Sequence, residues 1–244
     1  MLQPDSGHVH VWRIPLEVSV AVLDRYRSYL SPDERERASR YRFERHARRF
    51  VVARGSLRAL LASYLHERPA DLAFAVSPYG KPRLWGREGL QFNTTHSHEL
   101  ALCAVGRQEL GIDVEWVRPL PSMMHIASQS FHPREVVGLR QMGGDGVERA
   151  FFRCWSRKEA YIKAVGQGLS IPLDSFAVSI GDDACLLESG GESADGWRIV
   201  NLDAGPDYAA ALAVAAPEIH IDDRLWEHAG AHPRWLAAGA LRRS

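Results

Sequence analysis

The chain has no surplus of charge: 30 Lys and Arg stand against 30 Asp and Glu. Proteins dedicated to nucleic acid or to an anionic membrane surface carry a basic excess, so the balance argues against both. Cysteine is scarce. Cys103, Cys154 and Cys185 show no metal-binding spacing and leave one over from any disulfide, so they are expected to be small core residues in a reducing compartment, the cytoplasm. Long apolar runs are missing as well. The longest smooth one, "YAAALAVAAP", falls far short of the ~20 residues a membrane-spanning helix needs. Residues 1–20 lack the apolar core of a signal peptide.

What is present suits a globular fold. With 244 residues, 45% hydrophobic and 25% charged, the chain fits one large domain or two small ones with a real core. "HVHVWRIPL" alternates like a strand. "LSPDERERASRYRF" opens a helix, with Ser31 at the N-cap, Pro32 at the first turn and Glu34 closing a capping box. "RRFVVARGSLRALLASYL" continues with helical periodicity, placing Phe50, Leu57, Leu60, Leu61 and Leu65 on a buried side. "LQFNTTHS" reads as a short strand followed by a polar turn. "ELALCAV" and "LGIDVEWV" read as a hairpin. A second long helix, "ERAFFRCWSRKEAYIKAVG", ends at glycine, and "LDSFAVSI", "CLLES", "GWRIVNL" and "YAAALAVAA" read as strands. The expected class is α+β, with two subdomains of similar build at 1–105 and 106–217, each a long helix on a mostly antiparallel sheet. Residues 218–244 form an extension, with "LWEHAGAHPRWLAAGALRRS" a peripheral helix or tail.

In "GIDVEWVRPL" the acids Asp113 and Glu115 are two apart on a strand and share one face. They read either as a solvated outer face or as part of a divalent-cation site. In the second helix, Phe151, Trp155, Glu159, Ile162 and Gly166 fall on one stripe, so Glu159 interrupts an apolar face and needs a cation. Lys163, four residues on, is one source, but such a helical pair contributes only about 0.3–0.5 kcal/mol. A hard cation shared with Asp113 and Glu115 is the stronger explanation; Mg²⁺ takes oxygen ligands and keeps waters and phosphates.

"GIDVE", followed some forty residues later by "WSRKEAYIKAVGQGL" and preceded by "GKP" at 80–82 and "FNTTHS" at 92–97, resembles the 4′-phosphopantetheinyl transferases, in particular their larger Sfp-type members. The resemblance covers about residues 10–215. It implies transfer of the phosphopantetheine arm of coenzyme A to a serine of an apo acyl or peptidyl carrier protein, with release of 3′,5′-ADP, by a chain that is usually monomeric. It implies that Asp113, Glu115 and Glu159 hold Mg²⁺ with the coenzyme A pyrophosphate, that Lys163 approaches the phosphates and that His96 and Lys81 contact coenzyme A. Thr95 stands where the family often has serine. Arg49 sits in the family's basic segment before the first-half helix, and Arg37 lies near positions that often carry a phosphate-contacting lysine or arginine; both are implied contacts of coenzyme A. Glu34 falls where some relatives carry a basic residue, which puts the 3′-phosphate contact near this loop in doubt. Glu159 is the candidate base for the serine proton.

The nine arginines of residues 35–58 read mostly as a solvated helix face, with one or two meeting phosphates. "PSMMHIASQSFHPREVVGL" offers Met123, Met124, Ile126 and Phe131 either as a carrier-docking surface or as core. Two other functional readings compete. One is a transition-metal enzyme using His96 and His98, which lacks further ligands at usable spacing. The other is a catalytically silent carrier-binding protein of the same fold, which loss of a metal acid would signal.

Overall fold

The computed structural model describes residues 4–5, 7–142, 144–189 and 196–228. Among the described residues the fold is α+β, with six α-helices and small, mostly antiparallel sheets. By its own contacts the chain forms two compact units. Among the described residues no helix is long and apolar enough to cross a membrane.

The first unit takes Ile14–Leu72 and the described residues from Leu225 onward. Its helices are α1 (Val20–Tyr29), α2 (Pro32–Ser39) and α3 (Glu44–Leu65). The capping box at Ser31 and Glu34 forms as the sequence predicts. Leu57, Leu60 and Leu61 of α3 are buried, while Phe50 and Leu65 are only half-buried. A Cβ on Gly55 would stand 2.4 Å from Tyr26 Cβ, so α1 and α3 meet where there is no side chain. Glu34 is buried and holds α2 to α3: it pairs with Arg58 at 2.6 Å and with Arg54. Arg58 also donates to the carbonyls of Pro69 and Leu72, each at 3.0 Å. Residues 226 and 228 are not a loose tail, because the indole of Trp226 donates to the Tyr26 hydroxyl at 3.0 Å and His228 Nδ1 lies 2.7 Å from it. The rest of the expected extension, 229–244, lies outside the described residues.

The second unit takes residues 4–13 and Ala73–Arg224. One sheet has the order β11 (His220–Leu225), β1 (His8–Pro15), β5 (Leu100–Gly106), β4 (Gln91–Ser97). A second runs β6 (Leu110–Trp116), β10 (Tyr208–Val214), β9 (Arg198–Asn201). Two-stranded pairs form from β2 (Phe74–Val76) with β3 (Pro82–Leu84), and from β7 (Ala177–Val178) with β8 (Leu186–Glu188). Helices α4 (Met123–Ser130), α5 (Pro133–Met142) and α6 (Val147–Val165) complete it, with Gly166 left-handed at the end of α6 (φ 79°).

Several expectations are corrected here. The strands "ELALCAV" and "LGIDVEWV" are not a hairpin: β5 pairs with β4, and β6 pairs with β10. Residues 107–109 carry the chain from one sheet to the other, and Glu109 O accepts from Ala215 N at 2.9 Å, lengthening the β6–β10 ladder. "NTTHS" is strand rather than turn, because every residue of 91–97 has a partner on β5. Residue 105 lies inside β5. Residues 220–225, placed in the extension, form β11 of the main sheet. Cys103 and Cys154 are buried, but Cys185 is exposed.

The two faces of β6 explain its sequence. Leu110, Ile112 and Val114 enter one core with Val9, Val11, Leu102, Leu212 and Val214. Gly111, Asp113 and Glu115 face α6. A Cβ at Gly111 would lie 2.2 Å from Ala160 O and 2.3 Å from Ala164 N, so the helix backbone rests directly on the strand there. A second core, around Phe131, Phe151, Phe152, Tyr161 and Phe176, packs α6 and takes in Ala209, Ala211 and Ala213 of β10.

Candidate active site

The close approach at Gly111 sets the depth at which the acids of β6 meet α6. An open cleft of about 430 Å³ results, lined by Thr94, Thr95, His96, Asp113, Val114, Glu115, Trp155, Glu159 and Lys163. Trp155, Glu159 and Lys163 are spaced four apart and so come from one stripe of α6. The stripe read from the sequence therefore does reach the β6 acids.

Asp113 is 4% exposed. Its Oδ1 accepts from Lys163 Nζ at 2.6 Å and from the Thr95 hydroxyl at 3.1 Å. Its Oδ2 is buried and has no hydrogen-bond partner. The solvated-face reading of Asp113 thus fails. Lys163 makes its salt bridge across to Asp113, not along the helix to Glu159, the simple alternative that the spacing allowed. Among the described residues nothing pairs with Glu159. Burial pushes the Asp113 carboxyl above the ordinary range, against the pull of Lys163 and Thr95. Burial also raises Glu115, and the charge of Asp113 raises it further. For Glu159, burial raises the carboxyl most, Lys163 opposes, and Asp113 adds to the rise. All three acids are held in a place that disfavours their charge.

A feature missed from the sequence is the role of β4. Alternate residues Asn93, Thr95 and Ser97 all turn toward β6. Asn93 Oδ1 accepts from Ile112 N at 2.9 Å, and Ser97 Oγ accepts from Trp116 N at 3.0 Å. Thr95 holds Asp113, and the Ser97 hydroxyl donates to Glu115 at 3.1 Å. These side chains satisfy backbone groups of β6 that have no ladder partner on that edge, and they aim both acids. The signal for it in the sequence is the alternation of short polar residues at 93, 95 and 97.

The other expected residues divide. His96 is exposed and lines the cleft. Thr95 lines it too, with its hydroxyl on Asp113. Lys81 is not among the lining residues. It is 7% exposed, and its ammonium donates to Glu109 at 2.7 Å and to Ala164 O at 2.9 Å, clamping the end of α6. Arg37 and Arg49 belong to the first unit. There Arg37 lies over the Phe50 ring at 5.3 Å, and Arg49 pairs with Glu17 at 3.2 Å. The His96–His98 metal reading is not supported. His98 sits in the β4–β5 turn with φ 53° and stacks on Trp116 at 4.4 Å. Among the described residues, the group of three potential ligands found within 4.8 Å of one another includes neither. Nor does that group include the three cleft acids. The docking reading of 121–139 fails for Phe131, which is 3% exposed and stacks on Phe151 at 5.2 Å; Met123, Met124 and Ile126 pack against the same core.

The sequence is similar to those of known proteins. A model of the 4′-phosphopantetheinyl transferase superfamily matches residues 109–213, and one described as 4′-phosphopantetheinyl transferase, N-terminal, matches residues 18–108. The chain is 39% identical over 215 residues to the 4′-phosphopantetheinyl transferase HetI of Nostoc sp., covering 86% of this chain and 89% of that one. It is 30% identical to the 4′-phosphopantetheinyl transferase Sfp of Bacillus subtilis, over 82% of this chain and 88% of that one. It is 25% identical to the L-aminoadipate-semialdehyde dehydrogenase-phosphopantetheinyl transferase of Mus musculus, over 78% and 68%. The chain belongs to the 4′-phosphopantetheinyl transferase superfamily and is a transferase of the Sfp type.

Proposed function

We propose that the protein transfers the 4′-phosphopantetheine arm of coenzyme A to a serine of an apo acyl or peptidyl carrier protein, with Mg²⁺, and releases 3′,5′-ADP. Family membership supports the transfer. The observation that carries the metal is the buried, unpartnered Oδ2 of Asp113, in a cleft where three carboxylates face one lining cation, Lys163. Oxygen-only donors suit a hard dication. Asp113, Glu115 and Glu159 would hold it, and when bound Mg²⁺ supplies positive charge against the pyrophosphate.

The remaining steps fall to the chain itself. Lys163 reaches the cleft from α6 and is placed to meet negative charge that builds on the leaving phosphate. Glu159 lines the same cleft and accepts the serine proton. Thr95 and Ser97 keep the two β6 acids in position, and His96 lies at the rim for the nucleotide. The transfer is largely a matter of positioning and charge neutralisation. Arg37 and Arg49 are proposed phosphate contacts of coenzyme A. Lys81 is proposed to act on coenzyme A indirectly, through the end of α6. The three cysteines are free, which fits work in the cytoplasm, and the protein is proposed to act as a monomer.

The test is intact-mass measurement of apo carrier proteins incubated with the protein, coenzyme A and Mg²⁺. A phosphopantetheine gain that disappears on chelation, and in Asp113→Asn, is expected. A gain that chelation leaves unchanged would remove the metal from the reading. No gain on any of several acyl and peptidyl carriers would favour a silent carrier-binding protein.

A further inference from the structure

The first and last described strands of the second unit's main sheet bring together a donor set unlike that of the cleft. His8 and His10 share one face of β1 by the two-residue period, and His220, Asp222 and Arg224 share one face of the neighbouring β11. The register is fixed at this end by His220 N, which donates to Gly7 O at 2.8 Å. His8 Nδ1 lies 3.3 Å from Asp222 Oδ2, and the His8 and His220 ring centroids are 4.7 Å apart with the planes tilted by 49°. One potential ligand atom from each of His8, His220 and Asp222 lies within 4.8 Å of the other two.

We propose that His8, His220 and Asp222 form a binding site for a divalent transition metal of the Zn²⁺ type. Donors around a tetrahedral zinc stand ~3.3 Å apart, given bonds of about 2.0–2.1 Å to nitrogen and oxygen; the His8–Asp222 pair is already at that separation. Two imidazoles and one carboxylate select Zn²⁺ or Co²⁺ over Mg²⁺. A simple His–Asp ion pairing accounts for His8, His10 and Asp222 only, at 3.3 and 3.4 Å. It gives His220 no role, although that ring makes no hydrogen bond among the described residues and stands exposed on the face shared with Asp222. His10 is not counted as a ligand: its Nε2 is 3.2 Å from an Arg224 amino group, which lies over the Trp12 ring. The fourth position is left to water. The site joins β1, near the start of the chain, to β11, more than 200 residues later, so a bound ion clamps the edge strand onto the sheet and adds its binding free energy to stability.

The experiment uses the full chain, stripped with chelator and kept in millimolar Mg²⁺ so that oxygen-donor sites are filled. Co²⁺ is titrated by its visible absorption, then displaced by Zn²⁺, and thermal melting is followed in parallel. One Co²⁺ per chain with a tetrahedral spectrum is expected. His220→Ala and Asp222→Asn should each weaken binding at least tenfold while melting like the wild type without metal. Zn²⁺ should raise the melting temperature of the wild type by several degrees and leave the double variant unmoved. His220→Asn is the second variant if His220→Ala misfolds, and the same tenfold weakening is expected of it. Asp113→Asn should bind Co²⁺ like the wild type. Absence of stoichiometric Co²⁺ binding, or equal binding by wild type and the β11 variants, would overturn the proposal.

Discussion

Replacing Lys158 by methionine should unfold the protein's second unit far more readily without disarming its chemistry. Lys158 stands next to Glu159 in "WSRKEA", yet it points away from the cleft. Its side chain is 0% exposed, and its ammonium donates to Glu135 Oε1 and to Phe176 O, each at 2.7 Å. The Phe176 ring lies 4.2 Å from the charge. Glu135, 1% exposed, also accepts from Val178 N at 2.7 Å and His132 N at 2.9 Å, so one carboxylate ties together α5, α6 and β7. Removing one partner of such a pair leaves an uncompensated buried charge, at a cost of about 3–5 kcal/mol. At ~3 °C per kcal/mol for a protein of this size, a loss of ~4 kcal/mol lowers the melting temperature by roughly 12 °C. The double variant Glu135→Gln/Lys158→Met removes both charges and keeps an acceptor for the backbone N–H groups. It should recover at least ~2 kcal/mol, a coupling read by a double-mutant cycle from urea melts. At a temperature where Lys158→Met is still folded, turnover should stay within a few-fold of wild type. A loss under ~1 kcal/mol, no recovery in the double variant, or abolished turnover in folded protein would refute the structural assignment of this lysine.

Other perturbations test the frame around the acids. Gly111→Ala drives a methyl into the backbone of α6; overpacking of this kind costs typically 1–3 kcal/mol, and turnover should fall even where melting shows the protein folded. Asn93→Ala strips the acceptor from Ile112 N and should cost about 1–3 kcal/mol in denaturant melts. Phe131→Ala should cost about 3–5 kcal/mol and leave the Michaelis constants for carrier and coenzyme A in their wild-type ratio; a selective rise for carrier would restore the docking reading. Glu34→Gln probes pH. Burial raises the Glu34 carboxyl, but the Arg58 hydrogen bond, the Arg54 charge and the Ser31 amide together hold it below its ordinary 4.5. A depressed folded value means that this carboxylate stabilises fully above about pH 4.5 and that the benefit fades as pH falls through the lower folded value. The wild type should exceed Glu34→Gln in stability by roughly 3 kcal/mol at neutral pH, and the gap should close on acidification; a gap constant down to pH 3 would contradict the network.

Local rules read correctly wherever one segment supplies both the demand and its answer. The capping box at Ser31 and the amphipathic stripe of α6 with its glycine stop are of this kind. They were legible because their partners lie within a few residues. Pairing between distant segments was not. The hairpin expected of β5 and β6 rested on a short connection, and short connections usually join neighbours. Here residues 107–109 step between sheets instead. The eventual partner of β6, the Ala-rich β10 beginning at Tyr208, lies some hundred residues on, and nothing in "GIDVEW" names it. The setting of Lys81 was hidden for a related reason. A basic residue in a glycine-proline loop looks available, and only the fold shows Glu109 and the Ala164 carbonyl waiting for it.

What aligns the acids of β6 was not legible in the sequence, and it lies in β4. A strand that presents Asp113 and Glu115 to a helix on one face, and Ile112 and Val114 to the core on the other, still has an edge to satisfy. An ordinary ladder there would place a third backbone alongside and fix the acids only through their own strand. Side chains from β4 do it differently: Asn93 and Ser97 take the Ile112 and Trp116 amides, while Thr95 and Ser97 hold the two carboxylates. The same three positions thus close the edge and orient the acids. The block "FNTTHS" and the block "GIDVE" are therefore one device, and a change at 93, 95 or 97 should be felt as a change in the geometry of the cleft acids.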